Sequence, residues 1–379
     1  MSIPRDASYP PAQYPTTIVA GLVATDAETG VILHQSGDIL RWAIENREGP
    51  IVVEDGTYRV GKVDQAKGGL VTARNKHGAV IQASNQDTIS FPVHGAIQPL
   101  TLRGFRIEVS PRAGIINSNK DHAPLDLNIE HCLFDGGYDH SARSGLESKW
   151  GMQVYRWRGY AAYCVFENIK REHGIYDHSS VPDENGWHVI LECEFRRCGR
   201  TGYQHVGRER ESGHSDAVLK VTDCVFEDCG LRDGGSHLTI QGVKAAIIKG
   251  CESYIGRDEE FAAAWLEANP GEKVFGRGHF VNWPEYHDND DDPDTPNTPS
   301  NAPSDLIAFQ DWKAWTRPGN YGRAPAMEIK NTTALNLSGR FLVAEPWSGV
   351  SVTLSPEAAK GLELGDELDM RVMGSVEPA

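Results

Sequence analysis

Four short segments carry side chains able to bind or transform a polar ligand: Gly151-Met-Gln153-Val-Tyr155, Gly174-Ile-Tyr176-Asp177-His178, Gly202-Tyr-Gln204-His205 and Gly235-Ser-His237-Leu-Thr239. Each opens on Gly and then alternates. If they stack as parallel strands, Gln153, Tyr176, Gln204 and His237 form one outward row. Tyr155, His178 and Thr239 stand beside it. His205 falls near, its register open by one residue, and a one-residue slip would move it to the other face. Imidazoles titrate near neutral pH and, with phenols and guanidinium groups, serve proton transfer and charge stabilisation. Amides, hydroxyls and flat rings suit sugar hydroxyls and pyranose faces. Tyr176, His178, His205, Arg208 and His237 are therefore the candidate catalytic residues. Gln153, Tyr155, Gln204, Arg210 and Thr239 are the candidate substrate-binding residues. Arg208, Arg210 and His214 come from the loop at 207–216, and Arg171, Glu172 and His173 lie one repeat away. Eight of the fourteen histidines fall between 131 and 237, which concentrates this chemistry in one stretch. The competing reading is structural: exposed strand residues as solvated cross-strand pairs, and Arg208–Glu211 as a solvated charged loop.

What must position these residues is a repeat. The pattern apolar-x-x-Cys-x-Phe fits Ile129 to Phe134 and Val221 to Phe226, with shorter copies around Cys164, Cys193 and Cys251. Phe105 takes the Cys place earlier, and Thr332 takes it later. The intervals from 105 through 132, 164, 193 and 224 to 251 run from 27 to 32 residues. A period near 30 with alternating strands, and no intervening helical stretch, predicts a parallel β-solenoid. Its rungs lie about 4.8 Å apart, so equivalent residues form ladders. Cys132, Cys164, Cys193, Cys224 and Cys251 make one inward ladder, and Cys198 with Cys229 a second. Small apolar thiols fill a narrow lumen. None of the seven has CxxC spacing, so the cysteines read as architecture and assign no metal.

The chain resembles the right-handed parallel β-helix proteins of the pectate-lyase-like superfamily over roughly 50–256 and 320–350. The likeness rests on the coil pattern and on Ser36-Gly-Asp-Ile-Leu-Arg-Trp-Ala-Ile-Glu-Asn46, read as a capped amphipathic helix, followed by Ile51-Val-Val-Glu-Asp-Gly-Thr-Tyr58. It implies an all-β, right-handed, single-stranded parallel β-helix with an N-terminal capping helix, one long insertion and a C-terminal cap. The expected division is 1–50 for the N-terminal segment and helix, 51–256 for coils, 257–320 for the insertion, and 321–379 for the last coils and cap. For activity, the resemblance implies either of two chemistries. A lyase neutralises a uronate carboxylate with a cation and takes a proton with a base; a hydrolase uses paired carboxylates, for which Asp177, Glu209, Glu211, Asp216 and Asp233 are available. No specific catalytic signature carries residues over. The run Arg171-Glu-His-Gly-Ile-Tyr-Asp-His-Ser179 resembles β-helix proteins of phage, which implies a tail-spike or virion role and a homotrimer; a free polysaccharide lyase or glycoside hydrolase and a non-catalytic structural virion protein are the alternatives.

Composition narrows the partners. A net charge of −16 argues against nucleic acid and against an anionic membrane. Polysaccharide is the expected partner. Residues 258–268 read as a helix with acids at its start, and an Asp/Pro-rich loop follows. Asp288, Asp290 and Asp292 alternate as in a calcium loop but lack its turn Gly and closing Glu. The stretch therefore reads first as a solvated loop, no cofactor is firmly implied, and calcium is the alternative. Stacked histidines sharing a metal ion are a third reading. The N-terminal residues lack a secretory pattern, so localisation stays open between action inside the cell, another route out such as a virion, and a signal that was removed; a phage-derived protein would be virion-borne or extracellular.

Overall fold

The corners of this molecule are set by one residue before each cysteine. His131, Tyr163, Glu192 and Asp223 have φ of 53°, 58°, 47° and 53°, and Gly104 and Gly250 take the same place at 77° and 65°. Left-handed backbone costs an L-residue roughly 1–2 kcal/mol. The cost is offset because each corner keeps its rung hydrogen bond: His131 N to Ala162 O, Tyr163 N to Leu191 O, and Glu192 N to Thr222 O, at 2.9–3.0 Å. A second corner repeats the device at Asn168, Arg197 and Asp228, just before Ile169, Cys198 and Cys229.

The computed structural model describes residues 9, 14–83, 87–91, 99–117, 125–178, 187–206, 218–231, 236–241, 245–254 and 258–270, together with strands at 305–310, 326–330, 333–335, 342–344, 351–354 and 376–378. Its strands follow one another through three parallel sheets. Each coil passes from the first sheet (for example Trp157–Ala162) to the second (Val165–Ile169) and the third (Ile175–His178) before returning. The second and third sheets each hold nine strands among the described residues. The first sheet is extended at its start by an antiparallel set, Thr17–Ala20, Val23–Asp26 and Ile32–Gln35. This is the single-stranded parallel β-solenoid expected from the repeat. After the helix at Glu259–Ala268 the stack continues: Asp305–Gln310 pairs with Ser236–Gln241, and Ala326–Lys330 with Ala245–Lys249.

Ladders fill the lumen. Phe134, Phe166, Phe195 and Phe226 stack with ring centroids 4.4, 5.1 and 5.0 Å apart and planes within 12°. All seven cysteines are buried and unpaired. Burial in the apolar lumen raises the Cys132 thiol to about 12 and also raises Cys164, Cys198 and Cys224. These are unreactive filler, as the spacing predicts.

Helix α1 (Ile39–Asn46) covers the first coil by burying Ile39, Leu40, Ala43 and Ile44. Its expected side-chain cap does not form; Asp38 instead pairs with Arg41 at 2.7 Å. Helix α2 (Glu259–Ala268) is capped, with Asp258 accepting from the Phe261 N–H at 2.9 Å. Its Phe261 and Trp265 pack on Leu231. Among the described residues no helix is long and apolar enough to cross a membrane. The Asp288–Asp292 stretch and the 207–216 loop lie outside the described residues.

Candidate functional site

Glycine starts the third sheet. Gly114, Gly151, Gly174 and Gly202 form a column in which an added Cβ would sit 2.7, 2.4, 2.5 and 2.8 Å from a carbonyl oxygen of the next rung. At these four rungs a side chain would collide with the neighbouring backbone, so glycine is required there, while Thr88 and His237 hold the column at its two ends. Two residues on, the chain alternates, and the hydrogen-bonded register is Gln153 beside Tyr176, Tyr176 beside Gln204, and Gln204 beside Thr239. Tyr155 is in register with His178 at the end of these strands. Gln153, Gln204 and Thr239 are 6–8% exposed, while Tyr176 and Tyr155 are half-buried. The row therefore presents amide and hydroxyl edges around tyrosine rings. Gln153 Nε2 donates to Tyr155 Oη at 3.2 Å.

Trp150, which the sequence does not mark, and His173, expected one repeat away, complete an aromatic group here. The Trp150 ring lies parallel to Tyr176 within 8°, with centroids 6.5 Å apart. His173 stacks on Tyr176 at 4.9 Å. Lys149 Nζ stands 4.2 Å from the Trp150 ring centre and brings a cation to the group. Trp150 was legible only as the residue before the glycine column, a place the repeat does not mark.

Two candidates need correction. His237 does not join the outward row. Its position is opposite Gly202, since Thr201 pairs with Ser236 and Tyr203 with Leu238. The ring is fully buried and stacks over Phe226 at 6.2 Å and 16°. Burial holds its pKa down at about 3, so it is a neutral core residue. Thr239 takes the place expected for His237. His205 is also turned inward, at 0% exposure, because it pairs with Asp177 rather than with Tyr176. Arg208 and Arg210 lie outside the described residues, as do Glu209, Glu211, His214, Asp216 and Asp233. His178 is described as a strand residue only.

The inward turn of His205 assembles a second polar group inside the lumen. Asp177 is 0% exposed. His205 Nδ1 lies 2.9 Å from its Oδ2, His188 Nδ1 lies 3.3 Å from the same oxygen, and Tyr203 Oη donates to it at 3.3 Å. His188 comes from the first sheet, across the lumen, on the strand Trp187–Leu191. Burial, and then the Asp177 charge, raise the Tyr203 phenol well above its ordinary value. Asp177 cannot act on an external polymer, so the hydrolase role considered for it is not available from the outer face.

No family model matches the chain, and no curated protein matches it. Solved structures similar to it include pectate lyase Pel9A, with TM-score 0.38 and 9% identity over 85% of this chain and 62% of that one. A second is ORF18 of Geobacillus virus E2, with TM-score 0.37 and 11% identity over 88% of this chain and 63% of that one. The chain thus spans a little under two thirds of the length of either.

Proposed function

We propose that this chain is a carbohydrate-recognising β-helix, tail-spike-like or virion-associated, that engages polysaccharide along the outer face of its third sheet. The observation that carries the reading is the group Trp150, His173 and Tyr176, flanked by Gln153 and Gln204 on neighbouring rungs. Flat rings offer apolar faces to pyranose C–H groups, and amides satisfy hydroxyls on both sides. The polar row continues over successive rungs through Gln204 and Thr239, which suits a polymer better than a single small molecule. Lys149 supplies the local cation that an acidic sugar needs on a chain of net charge −16. The virion role rests on the resemblance of residues 171–179 to phage β-helix proteins, and a homotrimer follows from the same resemblance.

If the protein also cleaves its ligand, the acid, base and cation come from the loop after strand Thr201–Val206, where Arg208, Arg210 and the carboxylates cluster in sequence. A panel of acidic and neutral polysaccharides, assayed for binding and for new reducing ends, tests both steps. Binding that disappears in Trp150→Ala/Tyr176→Ala supports the reading; binding indifferent to that pair sinks it. New reducing ends that depend on Arg208 or Arg210 make the protein a depolymerase. Light scattering after size exclusion reads the oligomer, and a monomer counts against the tail-spike form.

A further inference from the structure

The lumen group of Asp177, His188 and His205 has no part in polymer binding, yet its geometry is specific. We propose that it is a structural site for a divalent transition-metal ion of the zinc class, bound through His188 Nδ1, His205 Nδ1 and the Asp177 carboxylate. One donor atom from each of these three buried residues lies within 4.8 Å of the other two. Metal bonds of about 2.0–2.1 Å in tetrahedral geometry separate ligand atoms by roughly 3.3 Å. The observed separations from Asp177 Oδ2 are 2.9 Å to His205 and 3.3 Å to His188, so small ring movements seat an ion.

Energetics point the same way. An ionised carboxylate at zero exposure needs compensation. A divalent ion compensates the carboxylate and binds the imidazoles in their neutral form. His205 Nε2 is also buried and has no hydrogen-bond partner among the described residues. Tyr203 Oη, donating to the carboxylate, is the outer partner that ligating groups usually have. The ion would clip two rungs of the third sheet to the facing rung of the first.

The site is closed to solvent, so the ion must enter as the chain folds. The test is therefore to express the untagged full chain in cobalt-supplemented minimal medium and measure cobalt content and visible absorption after purification. The expected result is about one cobalt per chain with the intense visible bands of a tetrahedral site. Asp177→Asn keeps the shape of the side chain and removes a ligand charge; its cobalt content should fall to background while its circular dichroism stays unchanged. Tyr203→Phe should weaken retention against a chelator by about tenfold. Trace cobalt in the wild-type chain overturns the proposal in favour of a metal-free Asp–His ion pair. Equal cobalt in wild type and Asp177→Asn overturns it too, since the metal then sits elsewhere. Neither outcome bears on polysaccharide binding, which uses none of these residues.

Discussion

Tyr176 and Asp177 are consecutive in one strand and belong to opposite worlds. Tyr176 looks outward, half-buried, into a group of rings and amides. Asp177 looks inward, at 0% exposure, to two imidazoles and a phenol. The difference follows from the two-residue period of a strand: adjacent side chains share a backbone and almost nothing else. On the outer face the sequence is free to vary as long as it stays polar, so that face can be adapted to a ligand. On the inner face every side chain must match the rung above and below.

Substitutions should separate the two faces. Phe195→Ala breaks the interior most severely. It removes one ring from a continuous stack and should lower stability by about 3–5 kcal/mol, read as a shift in the urea midpoint, while the protein that remains folded keeps its ligand affinity. Next is acid sensitivity. His237 has a pKa of about 3 when folded against 6.5 when exposed, and His131 is held at about 4 by burial and by Lys76. Between these values and 6.5 the unfolded chain binds more protons than the native one, so stability falls as pH drops through that window. Each such histidine contributes up to about 1.4 kcal/mol per pH unit. His237→Phe extends the ring ladder and should reduce the acid slope by about one proton. A slope unchanged between pH 6.5 and 4 would mean that His237 titrates normally.

Gly174→Ala is smaller. Its Cβ would sit 2.5 Å from Gly202 O, and prying the rungs apart should cost about 1–3 kcal/mol in thermal or urea unfolding. Smallest in stability, and on the other side of the sheet, is Tyr176→Ala. It should leave the unfolding curve nearly unchanged while weakening polysaccharide binding by about tenfold, or 1.4 kcal/mol. If Tyr176→Ala instead destabilises as Phe195→Ala does, the outer row is packing rather than a binding face.

Much of this was legible before any coordinates. The Cys and Phe positions repeat because the lumen admits few shapes, and the polar row shows because outward positions alternate with them. The failures are equally physical. The fourth repeat was aligned on Gly235, which put His237 in the outward row. The ladder instead sets His237 against Gly202, a slip of two residues that only rung pairing reveals. The left-handed corners at His131, Tyr163 and Glu192 carry none of the residues that normally mark such a turn. They are held by neighbouring rungs rather than by local preference.

The sequence by itself determined that this chain is a solenoid, which residues line its lumen, and that its third sheet carries a polar outer row, because each of these is a matter of period and residue type along the chain. Tertiary structure alone decided that His205 and His188 meet at Asp177 and that Trp150 and His173 join Tyr176. Those contacts lie between rungs and across the lumen, at sequence separations the repeat leaves variable, and register fixes them only once every rung has its hydrogen bonds.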